Sequence, residues 1–406
     1  MIDVKKFLIA LTLLLSLPTC AGAEPARNLS TSVDAFCWKY FATLDKDENI
    51  FYSPYGIHAA LGILANGASG DTRKEILHAL DANNVDALND GHKRFSAAVE
   101  KNYRGESLFA EANLLLVDKK IVGRGLDENF QRIVTNVYKS DVRQADFSGN
   151  LNGERKKISQ WVSDKTSGFI PNYNALANAA TLTDLLNVVY FKGKWAMPFK
   201  ANSTVKAQFT NRDGSRSTVD MMSKTFKDRI VYHADDKFKG IKLPYSDNAA
   251  MYLILPVDDN ALNVAELWND ETLARRADFL DRLKNSYAFD GDVVVRLPKV
   301  TLDVENNLVE NLKAVGIKRA FTDGAEFFNI VKGTPLKIDN AKHRAKVKVD
   351  ETGTEAAAVT EITMLQTTAV PNPPRRVYFL AERPFLFVIR DVESDVTLFA
   401  GVVNKF

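Results

Sequence analysis

Hydrophobic positions along this chain follow two rhythms, which alternate irregularly. Val33, Phe36, Cys37, Tyr40, Phe41 and Leu44 recur at helical spacing and predict an amphipathic first helix. Ser53-Pro54 caps and starts a second helix that Asn66-Gly67 ends; Thr72 with Glu75 predicts a capping box for the next one. Leu108, Ala110, Ala112, Leu114 and Leu116 alternate as a strand. Residues 127–139 and 154–165 read as helices, and residues 185–195 as a long apolar strand ending in a Gly-containing turn. Short strands are predicted at 219–222, 243–245 and 251–256. Leu297-Pro298-Lys299 leads into a helix at 307–317, NLVENLKAVGI, stopped by Gly316, and residues 383–403 give two apolar strands around a polar turn. Strands and helices mix without a regular βαβ rhythm, which predicts an α+β fold. The 406 residues alone suggest two or three domains. No repeat, low-complexity tract or linker divides them, so a single domain is expected.

One stretch stands apart. Residues 354–368 hold no Gly, no Pro and no basic side chain. At period two, Thr354, Ala356, Ala358, Thr360, Ile362 and Met364 share one face; Glu355, Ala357, Val359 and Glu361 share the other. The same residues could start a helix, because Thr354 can cap it and alanine has the best helix propensity. The following Pro-Asn-Pro-Pro-Arg-Arg cannot continue a helix and reads as extended and exposed.

Composition narrows the function. A net charge of +2, with no long Lys/Arg run, gives no argument for nucleic acid. Lys5 and Lys6 precede an apolar run at 7–17, and Ala21-Gly22-Ala23 offers a cleavage site. That run is too short to span a bilayer, so residues 1–23 read as a secretory signal and no membrane partner is expected. A lipid-modified Cys20 is a poor match to its surroundings. With Cys20 removed, Cys37 remains as one thiol on an apolar helical stripe, a packed core residue. Asn28 and Asn202 open acceptor sequons for N-glycosylation. There is no Gly-x-Ser-x-Gly elbow, phosphate-binding loop or His-Glu-x-x-His pair, so no enzymatic activity is assigned. The five histidines are never at ligand spacing, and neither metal nor cofactor is assigned. His58, His78 and His92 are expected on solvated helix surfaces. His92-Lys93-Arg94 is too weak to carry a glycosaminoglycan site.

Several motifs resemble one family in the right order. ETGTEAAAVT closely resembles the hinge of inhibitory serpins. NIFYSP followed by GASGDT resembles that family's early signature, and LLNVVYFKGKW its long central strand with Asn187 and Trp195 in place. One departure is Gly56, where serpins usually carry Ser. The resemblance implies a serpin fold over residues 24–406: three β-sheets, eight or nine helices and an exposed reactive-centre loop at about 351–376. It implies a secreted, extracellular monomer that inhibits serine proteases as a suicide substrate. Its hinge would comprise Glu351, Gly353, Thr354, Glu355, Ala356, Ala357 and Ala358. Ser53, Asn187 and His343 resemble the shutter beneath the main sheet, and Trp195 the breach above it. A bond sixteen residues beyond Glu351 is Thr367-Thr368, and the short β-branched Thr367 suits elastase-like targets. Leu365 or Met364 would suit chymotrypsin-like or subtilisin-like proteases, and Arg375 trypsin-like ones. A non-inhibitory carrier, storage or chaperone-like serpin is the other implied function.

Overall fold

The computed structural model describes residues 28–103, 108–123, 125–354 and 374–406. The first third contains α1 (Leu29–Ala42), β1 (Ile50–Tyr52), α2 (Pro54–Gly67), α3 (Gly70–Ala79), α4 (Val85–Asn102), β2 (Leu108–Asp118) and α5 (Glu128–Tyr138). Next come β3 (Asp141–Ala145), α6 (Phe147–Lys165), β4 (Thr183–Lys194), β5 (Val205–Thr210), β6 (Arg216–Lys227), β7 (Val231–Ala234), β8 (Phe238–Pro244) and β9 (Ala249–Pro256). The remainder forms α7 (Val264–Asn269), α8 (Leu273–Asn285), β10 (Asp292–Pro298), β11 (Val300–Asn307), α9 (Val309–Ala314), β12 (Asn340–Val349), β13 (Gly353–Thr354), β14 (Arg376–Leu380), β15 (Phe385–Asp391) and β16 (Thr397–Val403). These make three sheets, of strand order β11-β12-β13-β4-β2-β3, β1-β16-β15-β9-β8-β7 and β14-β10-β6-β5. The α+β expectation of three sheets is met, with nine α-helices among the described residues.

The main sheet, which holds β4 and β12, is covered by the large core on one face and by α6 over part of the other. Along β2, Phe109, Leu115 and Val117 join the large core that contains α2, whereas Ala112, Leu114 and Leu116 pack with Phe147, Trp161 and Val162 of α6. That alternation follows from the strand's period of two. α2 is different: every residue from Pro54 to Gly67 is buried. Pro54 at its first turn and the Ser53 side chain, which accepts from the Gly56 N–H, start it as the sequence suggests.

Two sequence expectations are corrected and one unassigned stretch is filled. The Thr72/Glu75 capping box does not form; the helix starts at Gly70, after Ser69, which makes no side-chain cap. Its free amides at Asp71 and Thr72 bond instead to the Glu326 carboxylate, at 2.8 and 3.1 Å, and Glu75 accepts from the Lys318 and Arg319 amides. The cap is therefore tertiary. Residues 300–307, which carried no assignment, form β11 by pairing with β12, and α9 follows within the helix expected at 307–317. His58 and His92 are fully buried; only His78 keeps an exposed position on its helix.

Candidate functional site

β12 and β4 run side by side and parallel, in register from Asn340↔Asp184 to Lys346↔Tyr190. Above that zipped segment the two strands part. The chain leaves β12 at Val349, turns through Asp350, Glu351 and Thr352, and returns as β13 into the opening. Gly353 and Thr354 pair antiparallel with Lys194 and Gly193 on one side, and Thr354 with Val349 on the other. Only glycine fits at 353. Its φ is +153°, and an added Cβ would lie 2.0 Å from the Gly193 carbonyl oxygen.

Side chains fix this turn from all directions. The Asp350 carboxylate accepts from the Thr352 amide and hydroxyl, at 3.0 and 2.7 Å. The Trp195 indole N–H donates to the Asp350 carbonyl at 3.0 Å, and the Trp195 and Phe199 amides to the carbonyls of Thr352 and Glu351. Trp195 also stacks on Tyr245, at 4.5 Å between ring centres, and the Tyr245 hydroxyl hydrogen-bonds the buried Thr354 hydroxyl at 2.8 Å. Glu351 accepts from the Thr204 hydroxyl at 2.8 Å and pairs with Lys299 at 2.9 Å. Burial alone would raise the Glu351 pKa, but the hydrogen bonds from Lys299 and Thr204 outweigh it and hold the carboxyl below its ordinary range. Tyr245 and Lys299 were placed in the sequence but not linked to the hinge, because nothing local ties them to Glu351 or Thr354.

Lower in the sheet, Ser53, Asn187 and His343 meet. The Ser53 N–H donates to His343 Nε2 at 2.9 Å, and the Ser53 hydroxyl to the Leu398 carbonyl at 2.6 Å. With Nε2 accepting, the imidazole proton resides on Nδ1, 2.6 Å from Asn187 Oδ1. Asn187 Nδ2 then donates to Asn113 Oδ1 at 2.8 Å and, more weakly, to Glu111 Oε1 at 3.3 Å. Burial pushes the His343 pKa down to about 3, so the ring is neutral. Gly56 lies against this cluster: an added Cβ would sit 2.6 Å from Asn187 Oδ1 and 2.5 Å from Val189 Cγ2.

A profile of one family, described as serpin (serine protease inhibitor), matches residues 31–406. The chain belongs to the serpin family. Iripin-1 of Ixodes ricinus is 30% identical over 400 residues, spanning 97% of this chain and 98% of the relative. Intracellular coagulation inhibitor 2 of Tachypleus tridentatus is 30% identical over 388 residues, spanning 93% and 91% of the two chains. Among solved structures, the thermophilic serpin tengpin in its native state superposes with a TM-score of 0.81 at 26% identity, over 92% of this chain and 93% of its own.

The structure thus places Glu351, Gly353, Thr354 and Trp195 around one opening, and Ser53, Asn187 and His343 around another point of the same sheet. Glu355, Ala356, Ala357, Ala358, Met364, Leu365, Thr367 and Thr368 lie outside the described residues, as do residues 1–23. Asn28 and Asn202 are exposed. Asn28 Oδ1 caps α1 by accepting from the Thr31 amide at 2.9 Å. Cys37 is a free, buried thiol beside the Tyr52 hydroxyl, at 3.3 Å, and burial raises its pKa. Among the described residues there is no group of three metal-ligating side chains, and no helix long and apolar enough to cross a membrane.

Proposed function

We propose that this serpin is a secreted, monomeric suicide-substrate inhibitor of serine proteases, with Thr367-Thr368 as the bond it offers. The target's serine Oγ attacks the Thr367 carbonyl carbon, the bond to the Thr368 nitrogen breaks, and that nitrogen leaves as an amine. Thr367 stays esterified to the protease. The freed arm then enters the main sheet between β12 and β4, and the strained protease cannot complete deacylation.

The register of β13 carries this reading. Thr354 pairs with Gly193 of β4 and Val349 of β12. Continued downward, each pairing independently brings Thr360 level with Asn187 and with His343, which are themselves paired partners. A strand growing from Thr354 therefore fits both neighbours without a slip. Thr354 faces the core, so Ala356, Ala358 and Thr360 would follow it inward, and none is charged or bulky. A non-inhibitory serpin has no need of that clean inward face. About a dozen new residues, at roughly 0.5–1.5 kcal/mol net per hydrogen bond, supply on the order of ten kcal/mol.

A short β-branched Thr367 favours elastase-like proteases over those with an acidic primary pocket. Arg375 and Arg376 are poorly placed as bait. The Arg375 carbonyl accepts from the Asp292 amide at 2.8 Å and its side chain lies over Phe289, while Arg376 starts β14 and pairs with Asp292. The secretory signal at 1–23 and glycans on Asn28 and Asn202 complete the reading. Incubation with pancreatic elastase, denaturing electrophoresis and mass spectrometry test it. A stable band at the summed mass and a released fragment beginning at Thr368 are expected. Cleavage without a stable complex overturns inhibition of elastase, and a fragment beginning at Arg376 or Val377 overturns the assigned bond.

A further inference from the structure

Beneath the main sheet, hydrogen bonds run in one direction across three strands. Donation from the Ser53 amide fixes the His343 tautomer, the tautomer fixes which end of Asn187 faces His343, and Asn187 Nδ2 must then donate toward β2. Asn113 Oδ1 takes that bond, which leaves Asn113 Nδ2 in need of an acceptor. Glu111 Oε1 provides it, and also accepts from Asn187 Nδ2 at 3.3 Å. Asn113 is fully buried, so without Glu111 its amide would lose this partner inside the core. The chain ends on a carboxyl.

That carboxyl has unusual company. Glu111 shares its face of β2 with Phe109, Asn113, Leu115 and Val117, the face turned to the core. Among the described residues no Lys, Arg or His forms an ion pair with it. The titratable groups around it are Tyr55 on α2 and Tyr138 on α5, with His92 of α4 against both rings and His343 of β12 reached through Asn187. Burial pushes both tyrosines up and both histidines down.

We propose that Glu111 is a positioning residue for loop insertion: it terminates the Asn113–Asn187–His343 chain and so holds closed the β12–β4 seam that the arm must open. The link at risk is His343–Asn187, which bridges that seam, and each bond in the chain strengthens the next. Gly56 fits the same picture. It lets Asn187 lie against α2 with no room for a side chain there, so the polar partner comes from β2 on the other side.

A pH signature follows. Burial raises the Glu111 pKa to about 8, against the lowering effect of the Asn113 hydrogen bond. An acid with a raised folded pKa stabilises the fold while protonated, and that stability is lost as pH climbs from the ordinary value of 4.5 toward 8. The histidines are neutral in the folded chain, and their remaining titration in the unfolded chain just above pH 6.5 is common to wild type and a Glu111→Gln variant, so the difference between the two proteins isolates Glu111.

The proposal rests on loop insertion as read above, and the test separates the two. Glu111→Gln keeps an acceptor oxygen but cannot titrate, and Glu111→Leu removes the acceptor. Thermal midpoints of the intact proteins would be followed from pH 6.5 to 8.5, together with the rate of spontaneous conversion, at pH 7, to a form as heat-resistant as loop-nicked protein. The wild type should lose about 2 °C over that range relative to E111Q. E111Q should convert at the wild-type rate, and E111L several-fold faster. A parallel pH profile for E111Q and wild type, or an E111L lifetime equal to wild type, overturns the role of Glu111. A wild-type protein that gains no heat resistance on nicking overturns loop insertion itself, and this proposal with it.

Discussion

Gly56 and the buried histidines set the behaviour of the molecule at the scale of single residues. Serine, usual in the family at position 56, is the wrong residue for this chain. Its Cβ would come within 2.5 Å of Val189 Cγ2 and 2.6 Å of Asn187 Oδ1, and the latter is locked by His343. Gly56→Ser is expected to destabilise the intact protein by about 1–3 kcal/mol, the usual cost of overpacking a core, read as a lower urea midpoint. An unchanged midpoint would mean that Asn187 has somewhere else to go. The histidines give a pH dependence of their own. His58 and His343 have pKa values pushed down to about 3 by burial, and His92 is lowered by burial and by His58, whose Nδ1 lies 3.0 Å from its Nε2. A base with a lowered folded pKa binds its proton more weakly than in the unfolded chain. Stability is therefore full above the ordinary value of 6.5 and falls as pH drops toward 3, with protonation of Glu111 offsetting part of the loss. Thermal midpoints at pH 7 and pH 5 should differ by several degrees, and equal midpoints would contradict neutral burial of these rings.

At the scale of elements, the parity of the arm is the property to test. If it grows from Thr354 as a strand, position 356 enters the core and position 357 falls on the opposite face, level with Tyr190 of β4 and Lys346 of β12. Ala356→Glu should bury an unpaired carboxylate during insertion and turn most encounters into simple cleavage, whereas Ala357→Glu should be tolerated. Gel quantification of complex against cleaved product distinguishes them; equal effects would mean that the arm does not enter in this register. The same parity explains what could be read from sequence. β2 and β4 were legible because long apolar runs with fixed alternation leave little choice of structure. β11 was not read, although Val300, Leu302 and Val304 alternate with Thr301, Asp303 and Glu305: three apolar positions are a short signal beside the helical pattern that follows, and pairing with β12 decides the conformation. The helix after Ser69 misled in another way: the expected local box was replaced by a carboxylate from Glu326, far along the chain. His58 was misplaced by the assumption that every helix has a wet face. The missing signal was visible, because residues 54–67 contain no Asp, Glu, Lys or Arg, the mark of a helix buried all round. Of the site, Ser53, Asn187, Trp195 and His343 were identified through motif resemblance, whereas Glu111 needed the strand's inward face and its amide neighbours to be seen together.

The whole molecule is arranged as a sheet closed along part of one seam and opened at the top by two residues of the arm. β12 and β4 hold each other directly from Asn340↔Asp184 to Lys346↔Tyr190, while above them Gly353 and Thr354 already bond to both sides. Completing that strand would exchange one parallel pairing for two antiparallel ones, and antiparallel ladders are slightly the more stable per residue. On the proposed mechanism, what prevents it in the intact chain is covalent: β14, which follows the arm in sequence, is paired in register with β10 from Arg376↔Asp292. Cutting the chain between these anchors removes the restraint without adding any contact. A protease that nicks the loop but is not itself trapped should therefore yield a two-piece protein of higher stability. An insertion energy on the order of ten kcal/mol, spread over the large unfolding entropy of a chain this size, corresponds to a rise of roughly 10 °C or more in thermal midpoint. Calorimetry of intact and nicked protein in the same buffer makes the comparison, and identical midpoints would mean that the intact fold holds no conformational energy for the loop to release.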